Sequence, residues 1–305
     1  TGTGAAATPV LGSLNGGIRK FVDSLPGLGA TGVNNLNNFL PVAVPDTDTY
    51  GAAFGQYAAD YYEIALVEFT QQVHSDLPPT TFRGYVQLET PVLAAKLALA
   101  NPGYTHVQLF YLDGTPIQYA DGSFVYAVDK PRYLGPNIVS TKGRPVRIKF
   151  YNFLPTGQGG DLFIPVDETV MGSGEGPKNA AGGDCNRETS PTPCEKYSQN
   201  RATLHLHGGL VPWISDGTPH QWITPAGETT KYPKGVSVEY VPDMWFDSNG
   251  NTVPAGTLGA SNNPGDGAMT FYYNSQQSAR LMFYHDHAYG ITRLNVYAGE
   301  AAGYV

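Results

Sequence analysis

Charge is scarce in this chain. Asp, Glu, Lys and Arg make up 14% of its 305 residues, against roughly a quarter in an ordinary globular protein. So small a share disfavours long helices with charged outer faces. Basic residues are the scarcer sign, 18 against 26 acidic, and the net charge of −8 argues against nucleic acid or an anionic membrane as partner. No apolar run approaches the ~18 residues a membrane-spanning helix needs. No Asn-x-Ser/Thr sequon occurs, so nothing points to N-glycosylation. Cysteine is limited to Cys185 and Cys194, so at most one intrachain disulfide can form. Both lie in the Gly/Pro-rich run GGDCNRETSPTPCEKY, where a local bridge is expected, and a bridge implies an oxidising, extracytoplasmic compartment.

What the chain does have is Gly (37), Pro (24) and Tyr (20), the mixture of many short strands joined by turns. Its length allows one large β domain or two smaller ones with a full core. The start at Thr1 shows no signal peptide and fits a processed mature end. Residues 1–49 are small, apolar and turn-rich and read as an N-terminal extension, with a short helix around Gly17–Leu25. Strand signals follow in YYEIALVEFTQQVH, HVQLFYLD, SFVYAV, RPVRIKFYNFLP, ATLHLHG, VSVEYVPDMWF, MTFYYNS and ARLMFYHDH, each bounded by turn formers. VLAAKLALA, residues 92–100, is ambiguous between a short helix and a buried strand. Residues 156–200 carry GQGG, GSGEGP and AAGG and mark a long loop insertion. Strands at this spacing predict an all-β sandwich or barrel.

The chemistry resides in two pairs, His205-Leu206-His207 and His285-Asp286-His287, which hold four of the seven histidines. On a strand, side chains at i and i+2 point to one face, roughly 6–7 Å apart. Two such pairs on neighbouring strands aim four imidazoles at one place. An ordinary catalytic zinc takes about three protein ligands and a water, so four nitrogens suit a cluster of metals better, and copper best. Thr203 is expected on the face of His205 and His207, and Phe283 on that of His285 and His287. Gly208-Gly209 ends the first strand and admits backbone close to the site. Asp286 is expected to point away and to serve the structure. His74, His106 and His220 are read as ordinary polar residues, and Trp213, Trp222 and Trp245 as packing.

HLHGG, the SDG that follows, and YHDHAYGITRLNVYAGEAAGYV resemble the amino-terminal cupredoxin part of the multicopper oxidases, most closely the bacterial spore-coat laccase and bilirubin-oxidase-like branch. YYEIALVEFTQQVHSDLPPTTFRGY, GPNIVSTKGRPVRIKFYNFLP and DLFIPVDETV extend the resemblance, which covers most of residues 60–86, 133–172 and 201–305. Cupins differ, since a glutamate follows their His-x-His and GGLVPW follows here. The resemblance implies a cupredoxin-like Greek-key β-sandwich over residues 50–305, with insertions near 87–132 and 156–200. It implies that His205 ligates a type 2 copper, that His207 and His285 share one type 3 copper, and that His287 binds the other. Asp216 matches a carboxylate near the type 2 copper that orients water or supplies protons.

The family's cluster takes eight histidines, and its type 1 copper takes a His-Cys-His segment that is absent here. The resemblance therefore implies a part of a laccase-like enzyme, whether cleavage product, separate subunit or fragment. A second chain or C-terminal domains would carry the type 1 copper and four more histidines, with O2 and a small reducing substrate as reactants. A non-catalytic copper-binding module for storage or delivery is the alternative from another class. A mononuclear metal hydrolase or dioxygenase is a further one.

Overall fold

The computed structural model describes residues 17–236, 245–246, 252–254 and 264–305. The first sixteen residues of the expected extension, most of VSVEYVPDMWF and the side chain of Trp245 lie outside the described residues.

In chain order the elements are β1 (Asp60–Gln71), β2 (Thr80–Gln87), α1 (Pro91–Ala100), β3 (Val107–Gln108), β4 (Tyr126–Ala127), β5 (Val146–Asn152), β6 (His205–His207), β7 (Trp245–Phe246), β8 (Thr252–Val253), β9 (Ala268–Tyr273), β10 (Met282–His285), α2 (Thr292–Ala298) and β11 (Ala301–Tyr304). Four strands form one sheet in the order β2-β1-β5-β9, and three form a second in the order β11-β10-β6. Within both, every pairing is antiparallel except β1 with β5. The all-β class holds and is consistent with the cupredoxin-like fold that the resemblance implies.

Period-two alternation builds the sandwich. Tyr62, Ile64 and Leu66 of β1, Val146, Ile148 and Phe150 of β5, and Met269, Phe271 and Tyr273 of β9 are buried against Leu206, Met282, Tyr284, Ala302 and Tyr304 of the second sheet. Each such side chain contributes about 1.5–3 kcal/mol on leaving water. The opposite face of the first sheet is covered by the chain itself: Ala65, Val67, Phe69 and Val86 pack under Leu109, Ile117, Val125 and Ala127. This cover is held by two successive Asp-Gly turns. Asp113 accepts from the Thr115 N–H, Asp121 accepts from the Ser123 N–H, and Gly114 and Gly122 both take φ 85°.

Several local expectations are corrected or resolved. No helix forms around Gly17–Leu25. Phe21 takes φ 60°, Arg19 is bound to Asp76, and Asp23 is bound to Ser75. Those anchors replace the helical bonds that so short a segment could not nucleate alone. VLAAKLALA is helical: Pro91 opens α1 and the Thr90 hydroxyl caps it, accepting from the Leu93 N–H at 3.0 Å. Neither α2 nor β11 stands out in the sequence. The first is too short to show a period, and the second, AAGY, is a strand because β10 pairs with it. Among the described residues no helix is long and apolar enough to cross a membrane.

Candidate metal centre

The four histidines converge. β6 and β10 pair antiparallel with His205 opposite His285 and His207 opposite Phe283, which sets His205, His207 and His285 on the outer face of the three-stranded sheet. One ligand nitrogen from each of His205, His207 and His285 lies within 4.8 Å of the others, a set able to hold a metal ion. The ring of His287 stacks on that of His205 with centroids 4.5 Å apart. His207 stacks on Phe283, whose ring lies 4.8 Å away and nearly parallel.

His287 is not on a strand, contrary to expectation: β10 ends at His285. Its ring reaches the cluster because Asp286 holds the turn. The Asp286 carboxylate is wholly buried and accepts from the Thr203 N–H at 2.9 Å, the Ala288 N–H at 3.1 Å and the Asn295 amide at 3.0 Å. It thus joins the approach to β6, the turn after β10 and α2. The expected separation of Asp286 from the histidines is found, and burial pushes its carboxyl up to about 6. Thr203, expected beside the histidines, faces inward instead, with its hydroxyl against the Met269 sulfur. The strand begins only at His205, so alternation does not extend back to Thr203.

Backbone carbonyls orient three of the rings. His205 Nδ1 lies 2.6 Å from the Asp216 carbonyl, His285 Nδ1 2.6 Å from the Asp286 carbonyl, and His287 Nδ1 3.0 Å from the Gly217 carbonyl. A carbonyl can only accept, so each Nδ1 carries the hydrogen and each Nε2 is unprotonated. The Nδ1 of His207 sits 3.2 Å from His285 Nε2. Burial pushes His285 down to about 4 and lowers His287 as well, which favours the neutral form able to bind metal. His205 is raised, first by hydrogen bonding to the Asp216 carboxylate, whose Oδ1 is 3.3 Å from His205 Nδ1.

The SDG turn therefore does more than carry Asp216. Its Asp216 and Gly217 carbonyls brace one histidine from each pair, a role the sequence did not reveal. Gly217 has φ 64°, and a Cβ there would lie 1.9 Å from the Leu204 carbonyl oxygen. The signal available was an Asp-Gly pair soon after His-x-His, and it reads equally as a surface turn. Gly208 leaves β6 at φ 84° with no atom within 4 Å of its would-be Cβ, so a turn and not a close approach requires it.

The remaining histidines stand apart. His74 bonds the Arg19 carbonyl and the Asp76 N–H, His106 bonds Glu89, and His220 packs on Tyr289 with centroids 4.6 Å apart. Trp222 is core and Trp213 is exposed. Cys185 and Cys194 form a disulfide. The insertion that holds them also reaches the turn after His287: Arg201 donates to the carbonyls of Gly172 and Tyr289 at 2.8 and 2.7 Å.

No family model matches the chain. It is 25% identical over 263 residues to a laccase of Bacillus subtilis, covering 86% of this chain and 32% of that protein. A laccase of Haloferax volcanii is 28% identical over 241 residues, 79% of this chain and 26% of the relative. A solved multicopper oxidase of Campylobacter jejuni aligns over 92% of this chain and 29% of its own at 12% identity and TM-score 0.39. The chain spans about a quarter to a third of the length of the curated relatives it matches.

Proposed function

We propose that this chain, similar over most of its length to two laccases, is the part of a multicopper oxidase that supplies half of a trinuclear copper cluster in a laccase-like enzyme that reduces O2 to water. The observation that carries the reading is the convergence of four imidazoles, three of them with unprotonated Nε2 atoms, at one open sheet face. His205 serves the type 2 copper, His207 and His285 share one type 3 copper, and His287 serves the other. His207 Nδ1 and His285 Nε2 lie 3.2 Å apart, so these two neighbouring rings are the ones that would hold the shared copper.

Copper, when bound, supplies the one-electron redox chemistry that passes electrons to oxygen. The chain's own residues prepare the site. The Asp216 and Gly217 carbonyls fix ring orientation and tautomer in the manner of outer partners that tune metal ligands. The Asp216 carboxylate, 41% exposed at the rim beside His205, orients water and supplies protons. Asp286 keeps the two histidine pairs in register from behind.

The type 1 copper lies outside this chain, because both cysteines are consumed by the disulfide. The reducing substrate, of the phenol, aromatic amine, bilirubin-like pigment or metal-ion classes, is bound there too. Residues 1–49 are an extension and residues 50–305 one domain with insertions near 87–132 and 156–200. Its open histidine face meets a second chain or C-terminal domains that bring the other four histidines. Cluster sharing calls for an obligate interface. The disulfide supports an extracytoplasmic location.

Weighing every chain in the native material tests the reading at its base. The expected result is a companion polypeptide, or a longer chain, with a His-Cys-His segment and four further histidines. In that assembly His207→Ala or His287→Ala should abolish oxygen uptake and leave the blue type 1 absorption intact. Copper bound with no such companion and no oxygen uptake would favour a storage or delivery module.

A further inference from the structure

We propose that the cleft on the far side of the sandwich from the histidines is a binding site for an organic cation, a quaternary or protonated amine with an apolar body. The cleft measures about 730 Å3, within the range of pockets that bury a small ligand. Its floor is the outer face of the four-stranded sheet, where Glu63 of β1 lies opposite Lys149 of β5. Its wall is the second Asp-Gly turn of the segment that covers this sheet. It shares no residue with the metal centre.

Two features select the ligand. The first is an aromatic lining. The rings of Tyr151 and Phe153 stack at 5.3 Å and 11°, and Tyr119 meets both edge-on at 5.5 and 5.7 Å. The second is charge. Among the described residues that line the cleft, Glu63, Glu89, Asp121 and Asp266 face a single cation, Lys149. A cleft with an excess of one sign concentrates ligands of the other, so an anion is disfavoured.

A bare metal ion is disfavoured too, because each carboxylate already accepts from local donors. Glu63 takes the Tyr61 hydroxyl at 2.8 Å, Glu89 takes Tyr104 at 2.5 Å and His106 at 2.6 Å, Asp121 takes Ser123 at 2.6 Å, and Asp266 takes the N–H groups of Gly227 and Gly267 at 2.8 and 3.0 Å. They act through their field and leave direct contact to the rings. Ring faces attract ammonium groups, and quaternary ammonium ligands are a recurrent occupant of such cages. The chain contains its own precedent, since the Lys149 ammonium sits 4.9 Å from the centre of the Tyr151 ring.

Calorimetric titration of the 305-residue chain with choline, and with 3,3-dimethylbutan-1-ol as its uncharged isostere, tests the proposal. Choline is expected to bind saturably and about tenfold or more tighter than the isostere, with affinity falling as salt rises. Tyr119→Leu should weaken choline about tenfold. Lys149→Met should strengthen it, because a competing ammonium leaves the same ring, and this second variant keeps the test decisive if the first does not fold. Equal binding of choline and isostere overturns the proposal. So does a Lys149→Met variant with unchanged or weaker choline affinity, or a neutral oligosaccharide binding where choline does not.

Discussion

The two sheets share one core but treat their outer faces oppositely. Much of the outer face of the four-stranded sheet is covered by Leu109, Ile117, Val125 and Ala127, all at most 4% exposed, with the cleft over Glu63 and Lys149 left beside them. The outer face of the three-stranded sheet carries the imidazoles together with Phe283, 44% exposed. A sheet that covers itself gains stability from the chain's own residues. One that leaves an aromatic side chain beside metal-binding groups is shaped for something outside the described residues. The difference sets a face largely covered by the chain's own side chains against one that leaves its imidazoles at the surface.

That division makes its strongest claim at the histidines. Loss of either His207 or His287 should remove oxygen reduction entirely in the assembled enzyme while the far-ultraviolet spectrum and unfolding midpoint of this chain stay close to wild type. A variant that keeps its activity would sink the cluster assignment.

Next in size are changes where the two faces depend on backbone and packing. Gly217→Ala forces a Cβ against the Leu204 carbonyl from a left-handed backbone and should cost about 3 kcal/mol or more in denaturant unfolding. On the covered face, Ile117→Ala should cost about 2–5 kcal/mol, as buried aliphatic truncations do. Phe283→Ser on the open face should cost no more than about 1 kcal/mol in the isolated chain, yet weaken association with the partner. Equal costs for Ile117→Ala and Phe283→Ser in the isolated chain would erase the distinction drawn between the faces.

A smaller effect separates the insertion from the chemistry. Cys185→Ser opens a short loop, bridged across a sequence separation of 9, and should lower stability by about 2–3 kcal/mol with turnover unchanged.

The pH dependence of the metal-free chain gives the subtlest reading. The unfolded chain binds the His285 proton below about pH 6.5, whereas the folded chain, desolvating the ring, binds it only below about 4. Between those values the unfolded state holds more protons, so this contribution to stability grows with rising pH and is lost as pH falls. The stability difference between wild type and His285→Gln should therefore shift in favour of wild type from pH 4 to 6.5. A flat difference would mean that the ring is not desolvated on its sheet face.

The two His-x-His pairs were legible because their chemistry is rare and their spacing matches a strand. The disulfide was legible because two cysteines in one loop leave little choice. Alternation in the longer strands announced the sandwich core. Thr203 and His287 were misjudged because both lie just outside their strands, where the period-two rule has no force. The short α2 and the small-residue strand β11 carry no period of their own. Neither did the sequence disclose that the Asp216 and Gly217 carbonyls orient two rings, since any residue supplies a carbonyl and only the fold aims it.

Residue chemistry is written in the chain: which groups can bind copper, which thiols can pair, and which strands must hide one face. Tertiary structure alone decided that β6 lies beside β10 with His205 opposite His285, that one outer face is largely covered and the other carries the imidazoles, and that Asp286 joins both pairs from behind. The reason is that local periodicity acts over a few residues, whereas these arrangements depend on pairings made some eighty residues apart.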